Sequence, residues 1–134
     1  NKVDVIRVLL ENGADPNSVD DFGQTPLIEL MLMENDGNVT AAIELLLEHG
    51  ADINAKDSED TTALMFACRY GHIRVVKLLL DNGADLSASN VQDLTPIDFA
   101  RMYNQKEIAK GLESRWLKLY KVEYEPLVDD LPKP

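Results

Sequence analysis

Scarcity sets the first bounds. The chain has one cysteine in 134 residues, Cys68, so neither an internal disulfide nor a thiolate zinc site can be built from it. That usage fits a reducing compartment, and the expected location is cytoplasmic or nuclear. Apolar stretches are only a handful of residues long, too short for a helix to cross a bilayer, and no charged segment leads an apolar one at the start. No membrane partner is expected. Cations are also scarce: 13 Lys and Arg face 24 Asp and Glu, a net charge of −11. Nucleic-acid affinity depends on cations displacing condensed counterions, so nucleic acid is not an expected ligand either. The sequence contains no Walker loop, no dinucleotide fingerprint and no His-Glu-x-x-His. No catalytic, cofactor-binding or metal-binding residue is therefore assigned, and no enzymatic activity is expected.

The charge that is present is unevenly placed. Residues 8–55 hold no Lys or Arg but ten acids: Glu11, Asp15, Asp20, Asp21, Glu29, Glu34, Asp36, Glu44, Glu48 and Asp52. Residues 101–121 reverse this, with Arg101, Lys106, Lys110, Arg115, Lys118 and Lys121 against Glu107 and Glu113. A hydrophobic fraction of 45% is ordinary for a folded chain.

Self-similarity then fixes the architecture. Leu9-Leu10-Glu11-Asn12-Gly13-Ala14-Asp15 returns as Leu46-Leu47-Glu48-His49-Gly50-Ala51-Asp52 and as Leu79-Leu80-Asp81-Asn82-Gly83-Ala84-Asp85, at glycine spacings of 37 and 33. Thr25-Pro26-Leu27, Thr62-Ala63-Leu64 and Thr95-Pro96-Ile97 keep the same two intervals. The shared unequal spacing sets the register and places a four-residue insertion, Glu34-Asn35-Asp36-Gly37, in the second unit. Threonine followed by proline starts a helix: the hydroxyl caps it, and the ring gives up an amide hydrogen the first turn does not use. Asn1, Asn38, Gly71 and Asn104 then fall where a tight turn or new N-cap is needed, with Glu107 completing a capping box after Asn104. A second helix follows with apolar residues at helical spacing, such as Ile73, Val76, Leu79 and Leu80, and glycine ends it. Two such short helices cannot bury their apolar faces alone, so a period near 33 predicts a stacked solenoid.

The period, the Thr-Pro-Leu starts, Gly71-His72 and the Leu-Leu-x-x-Gly-Ala-Asp endings resemble the ankyrin repeat over about residues 1–120. The resemblance implies an all-α solenoid of stacked helix-turn-helix units joined by hairpin loops. Its units are the second helix and hairpin of a truncated repeat (1–19), a repeat with the insertion (20–56), a repeat (57–89), a C-terminal capping repeat (90–121), and a flexible acidic tail or linker (122–134). Because the chain opens at a second helix, either more repeats precede it in a longer parent or it is a proteolytic or designed fragment, and weak self-association through exposed Val5, Ile6, Val8 and Leu9 is expected of the uncapped start. Ile28, Met65 and Asp98 stand where the family has histidine, which is expected to remove a polar link between repeats. Asp60 and Asp93 replace the hairpin glycine retained as Gly23, and both tolerate positive φ. The insertion is expected to lengthen the first helix of its unit. Residues 105–120 form the expected capping helix, with Ile108, Leu112, Trp116 and Leu119 on its apolar stripe.

His49 and His72 occupy ordinary polar positions of the repeat, Cys68 a small packed position, and Asn38-Val39-Thr40 a glycosylation pattern without secretory context. Asn17 and Asn54 match a hairpin asparagine that is hydroxylated in some ankyrin proteins. The structural role expected of that side chain is a bond to its own turn, and Ser87 holds the third equivalent place. The resemblance implies recognition of another protein or peptide by hairpin tips and exposed helix-one positions on a concave face. Aligned by repeat, these are Asp21, Phe22 and Gln24; Ser58, Glu59 and Thr61; Val91, Gln92 and Leu94; then Leu32 and Met33; Arg69 and Tyr70; Met102 and Tyr103. Apolar and aromatic groups rimmed by acids suit an interface core, and the acidic first half favours a partner with basic residues. The alternative function is that of an intramolecular regulatory or spacer domain within a larger protein.

Overall fold

The computed structural model describes residues 2–33, 38–128 and 130–134. Among these are seven helices and no strand: α1 (Lys2–Glu11), α2 (Pro26–Leu32), α3 (Val39–Glu48), α4 (Ala63–Tyr70), α5 (Ile73–Asp81), α6 (Pro96–Met102) and α7 (Lys106–Tyr120). Asn1 and the insertion Glu34-Asn35-Asp36-Gly37 lie outside the described residues.

Each first helix begins as its sequence dictates. Thr25, Thr62 and Thr95 have extended backbone at the N-cap, and their hydroxyls accept from the amides of Ile28, Met65 and Asp98 at 3.3, 3.4 and 3.4 Å. The amide of Thr95 donates back to Asp98 Oδ2 at 2.9 Å, and that of Thr62 reaches Met65 Sδ at 3.5 Å. Of the residues standing in for the family's histidine, Met65 and Asp98 thus cap their own helices and Ile28 does not. The second helices α1, α3 and α5 each end in a left-handed glycine. Ala14, Ala51 and Ala84 donate to the carbonyls of Leu9, Leu46 and Leu79 at 3.0 Å, while Gly13, Gly50 and Gly83 (φ 87°, 88° and 90°) donate to those of Leu10, Leu47 and Leu80. A Cβ on any of the three would touch nothing within 4 Å, so backbone conformation rather than crowding selects glycine there.

The helices form two layers. In one, α4 packs between α2 and α6; in the other, α3 packs between α1 and α5. Every residue from 63 to 68 is buried, because α4 has neighbours on both sides and the helix-two layer beneath. Leu27, Ile28, Met31, Ile43, Leu46, Leu64, Met65, Val75, Leu79 and Ile97 fill the space between the layers. This is the all-α repeat architecture expected from the period.

Four local expectations are corrected. Helix α2 stops at Leu32, so the insertion does not prolong it. Asn104 is left-handed (φ 57°), which leaves Gln105 at the N-cap of α7; Gln105 Nε2 instead donates to the carbonyl of Arg69 at 3.3 Å, tying the last repeat to the one before. The apolar stripe of α7 runs through Ile108, Leu112 and half-buried Trp116, but Leu119 is exposed. Finally, the segment expected to be a flexible tail is held at Tyr124. After Lys121 turns left-handed (φ 62°), the Tyr124 ring meets Trp116 edge-on at 5.0 Å and lies under the Arg101 guanidinium at 5.1 Å. Its hydroxyl donates to Asp98 Oδ2 at 2.6 Å and also contacts Thr95 Oγ1. Burial, and then donation to Asp98, push the phenol above its ordinary pKa. Val128 and Leu131 also pack against the core.

Candidate partner-binding surface

The hairpins between repeats are built by one recurring device. Oδ1 of Asp20 accepts from the amides of Phe22 and Gln24, that of Asp57 from Glu59 and Thr61, and that of Asn90 from Gln92 and Leu94, all at 2.8–3.0 Å. Each closed turn fixes its tip residues, and the tips join in a row: Ser58 donates to the Phe22 carbonyl and Val91 to that of Glu59, both at 3.0 Å. Gly23, Asp60 and Asp93 all take positive φ (74°, 59° and 58°) beside those tips.

Asparagine carries a second row of links, which the sequence reading missed. Asn17 Nδ2 donates to the Gly50 carbonyl at 2.9 Å, and its Oδ1 accepts from the Asp52 amide at 2.7 Å. Asn54 repeats this with Gly83 at 3.3 Å and Asp85 at 2.8 Å. These side chains therefore bridge to the next repeat and do not bond their own turn. Ser87, the third equivalent, does bond its own turn, donating to Asp85 Oδ1 at 2.7 Å. The signal available in sequence was the recurrence of Asn four residues after the repeated glycine, at Asn17 after Gly13 and Asn54 after Gly50.

The side chains of the assigned surface divide into three groups. Phe22 is 68% exposed, Val91 61% and Tyr70 44%; Leu32, Met33, Asp21, Ser58, Glu59 and Gln92 are exposed as well. Gln24, Arg69, Met102 and Tyr103 are half-buried. Thr61 and Leu94 are buried and do not belong to an accessible surface. Each directly precedes a capping threonine, where the Asp57 or Asn90 turn carries the returning arm inward so that the side chain joins the stack.

Arg69 anchors the middle of this surface. Its guanidinium lies 5.3 Å from the Tyr70 ring centroid and 4.8 Å from that of Tyr103, and Tyr103 stacks parallel on Phe99 with centroids 6.5 Å apart. Arg69 Nε is buried without a hydrogen-bond partner, so the two rings supply its compensation. At the first hairpin the electrostatics are acidic. Acceptance from the Gln24 amide, with that from Phe22, lowers the Asp20 pKa; burial and then neighbouring Asp20 raise that of Glu29.

Elsewhere, Cys68 is buried, and desolvation pushes its thiol well above the ordinary value, which suppresses the nucleophilic thiolate. His49 is exposed, with Nδ1 3.0 Å from the Leu45 carbonyl, and His72 caps α5 beside Tyr70. Among the described residues no group of acids, histidines and cysteine is placed to hold a metal ion. No described helix is long and apolar enough to cross a membrane.

Stacked helix pairs whose capped hairpins line up define a repeat solenoid. The chain belongs to the ankyrin-repeat family: the family profile described as Ankyrin repeats (3 copies) matches residues 1–90 and again residues 30–115. Such repeats are generally protein–protein interaction modules and typically lack enzymatic activity. No curated protein matches the chain.

Proposed function

We propose that this array binds a partner protein or peptide bearing basic residues, across the hairpin tips and the exposed ends of the first helices. The carrying observation is that Phe22, Tyr70 and Val91 stay exposed although they are large apolar or aromatic side chains. The fold does not need these side chains for packing, and burying them against a partner is where they would contribute free energy. Asp21, Glu59 and the Asp20–Glu29 pair lie around the first two tips, so a cationic partner is steered to them.

The test is affinity capture with the full protein, followed by binding measurements on variants of the captured pair. Phe22→Ala and Tyr70→Ala should each weaken binding by roughly 1–3 kcal/mol with helix content unchanged. Asp21→Lys with Glu59→Lys should mainly slow association and reduce its salt dependence. Unchanged binding in these variants, together with loss of binding in Lys110→Ala, Arg115→Ala and Lys118→Ala, would move the recognition surface to α7 and overturn the reading.

A further inference from the structure

In the helix-two layer α3 packs on α1 and on α5, and the last pair of the layer is α5 with α7. A cleft of about 490 Å³ lies there, floored by Val76, Leu80, Ile108 and Leu112 and bordered by half-exposed Ile73. Its rim is cationic. Lys77 stands on α5, Lys118 and Arg115 on α7, and Arg115 reaches across to the Leu80 carbonyl at 3.4 Å; Glu107 is the one acid lining it. In a chain of net charge −11 this clustering contrasts with the groove between α3 and α5, where Glu44 and Glu48 are the charged residues.

Gly111 supplies a second observation. It sits inside α7, where glycine costs about 1 kcal/mol relative to alanine. Its φ is ordinary and a Cβ there would meet nothing within 4 Å, so neither backbone nor packing within this chain selects it. Gly111 lines the cleft, on the α7 side.

We propose that this cleft is a second docking surface, which receives an acidic amphipathic helix from a partner protein. Apolar side chains at helical spacing would enter between Ile73 and Leu112 while carboxylates pair with Lys77, Arg115 and Lys118. A helix fits because the cleft is bounded by two helices and lacks an unpaired strand edge. The surface lies on the helix-two side and is cationic, opposite in charge to the proposed tip surface, so the two would select different partners.

A fluorescent helical peptide with leucines at i, i+3, i+4 and i+7 and glutamates on both flanks tests this by anisotropy on the full chain. Binding should exceed that of a scrambled peptide of the same composition and of a lysine-flanked version, each by about tenfold or more. Gly111→Leu fills the cleft and should abolish the difference; Ile73→Asp should do the same from the α5 side, and serves if Gly111→Leu alters the fold. Lys77→Glu with Lys118→Glu should lower affinity by about tenfold and flatten its salt dependence, whereas Tyr70→Ala should have no effect. Equal binding of the scrambled peptide, or wild-type affinity in Gly111→Leu and Ile73→Asp, would overturn the proposal. So would displacement of the peptide by a single-stranded oligonucleotide of equal charge, which would make the cleft a phosphate-backbone site, or occupation of the cleft by a second copy of the chain in sedimentation.

Discussion

Helices α1 and α5 are nearly the same sentence in sequence and have opposite environments. Leu9 and Leu79 both lie four residues before a left-handed glycine, and both carbonyls accept the same capping bond at 3.0 Å. Yet Leu79 is 0% exposed and Leu9 is 54%; Val75 is 0% and Val5, its equivalent, is 59%. The local motif is enough to make the helix and its cap. The stabilisation comes from the neighbours, and in a solenoid each unit has only the two beside it.

The largest expected effect tests this directly. Leu79→Ala should cost roughly 2–5 kcal/mol by leaving a cavity between repeats, out of a total of about 5–15 for a domain. Leu9→Ala, at the same place in the motif, should stay within about 0.5 kcal/mol. Urea denaturation of the two variants settles the matter, and equal losses would break the comparison.

A smaller effect separates the two asparagine bridges. Asn54→Ala removes two hydrogen bonds between interior repeats and should lower global stability by about 1–2 kcal/mol. Asn17→Ala removes the same two bonds from α1. Its expected result is faster amide exchange confined to residues 2–13, with little change in the global midpoint. Exchange that spreads evenly through the array in both variants would mean that the units do not open separately.

Next in size is the strap. Tyr124→Phe keeps the ring on Trp116 but loses donation to Asp98, and should cost about 0.5–1.5 kcal/mol in thermal unfolding, expressed in α6 and α7 and not in α1. The smallest effect is in acid. Asp20 has a lowered pKa, so its contribution to the first hairpin is present above its ordinary value of 3.8 and disappears as pH falls through the lowered one. Asp20→Asn keeps the acceptor, as Asn90 does in the third hairpin. It should leave the fold intact, remove this acid sensitivity, and bring the raised Glu29 titration closer to normal in carboxyl NMR.

The repeat itself was legible because its determinants are short-ranged. Capping threonines, N1 prolines and terminal glycines act within five residues of one another, and three copies fix the register. Thr61 and Leu94 were misplaced because a hairpin arm alternates inward and outward, and sequence alone does not say which side the neighbouring repeat covers. Asn17 and Asn54 were matched to a family position but given the wrong partner, since the atoms they bond lie some thirty residues away in the next unit. Tyr124 was hidden by company: acids and prolines gave its segment the composition of a linker, while one aromatic ring and one hydroxyl were sufficient to seat it. The α5–α7 cleft was invisible for the same reason as the asparagine links, because it exists between elements and not within either.

The two rows of links along the hairpins also give the array a direction under load. Pulled from its ends, a stack of this kind parts at whichever outer unit is least tied down. Among the described residues α1 packs mainly on α3, with the Asn17 bridge behind it, whereas Tyr124 fastens the chain back across α7 onto Asp98 and Thr95. Extension of residues 1–134 by themselves would therefore separate α1 before the strapped unit of α6 and α7.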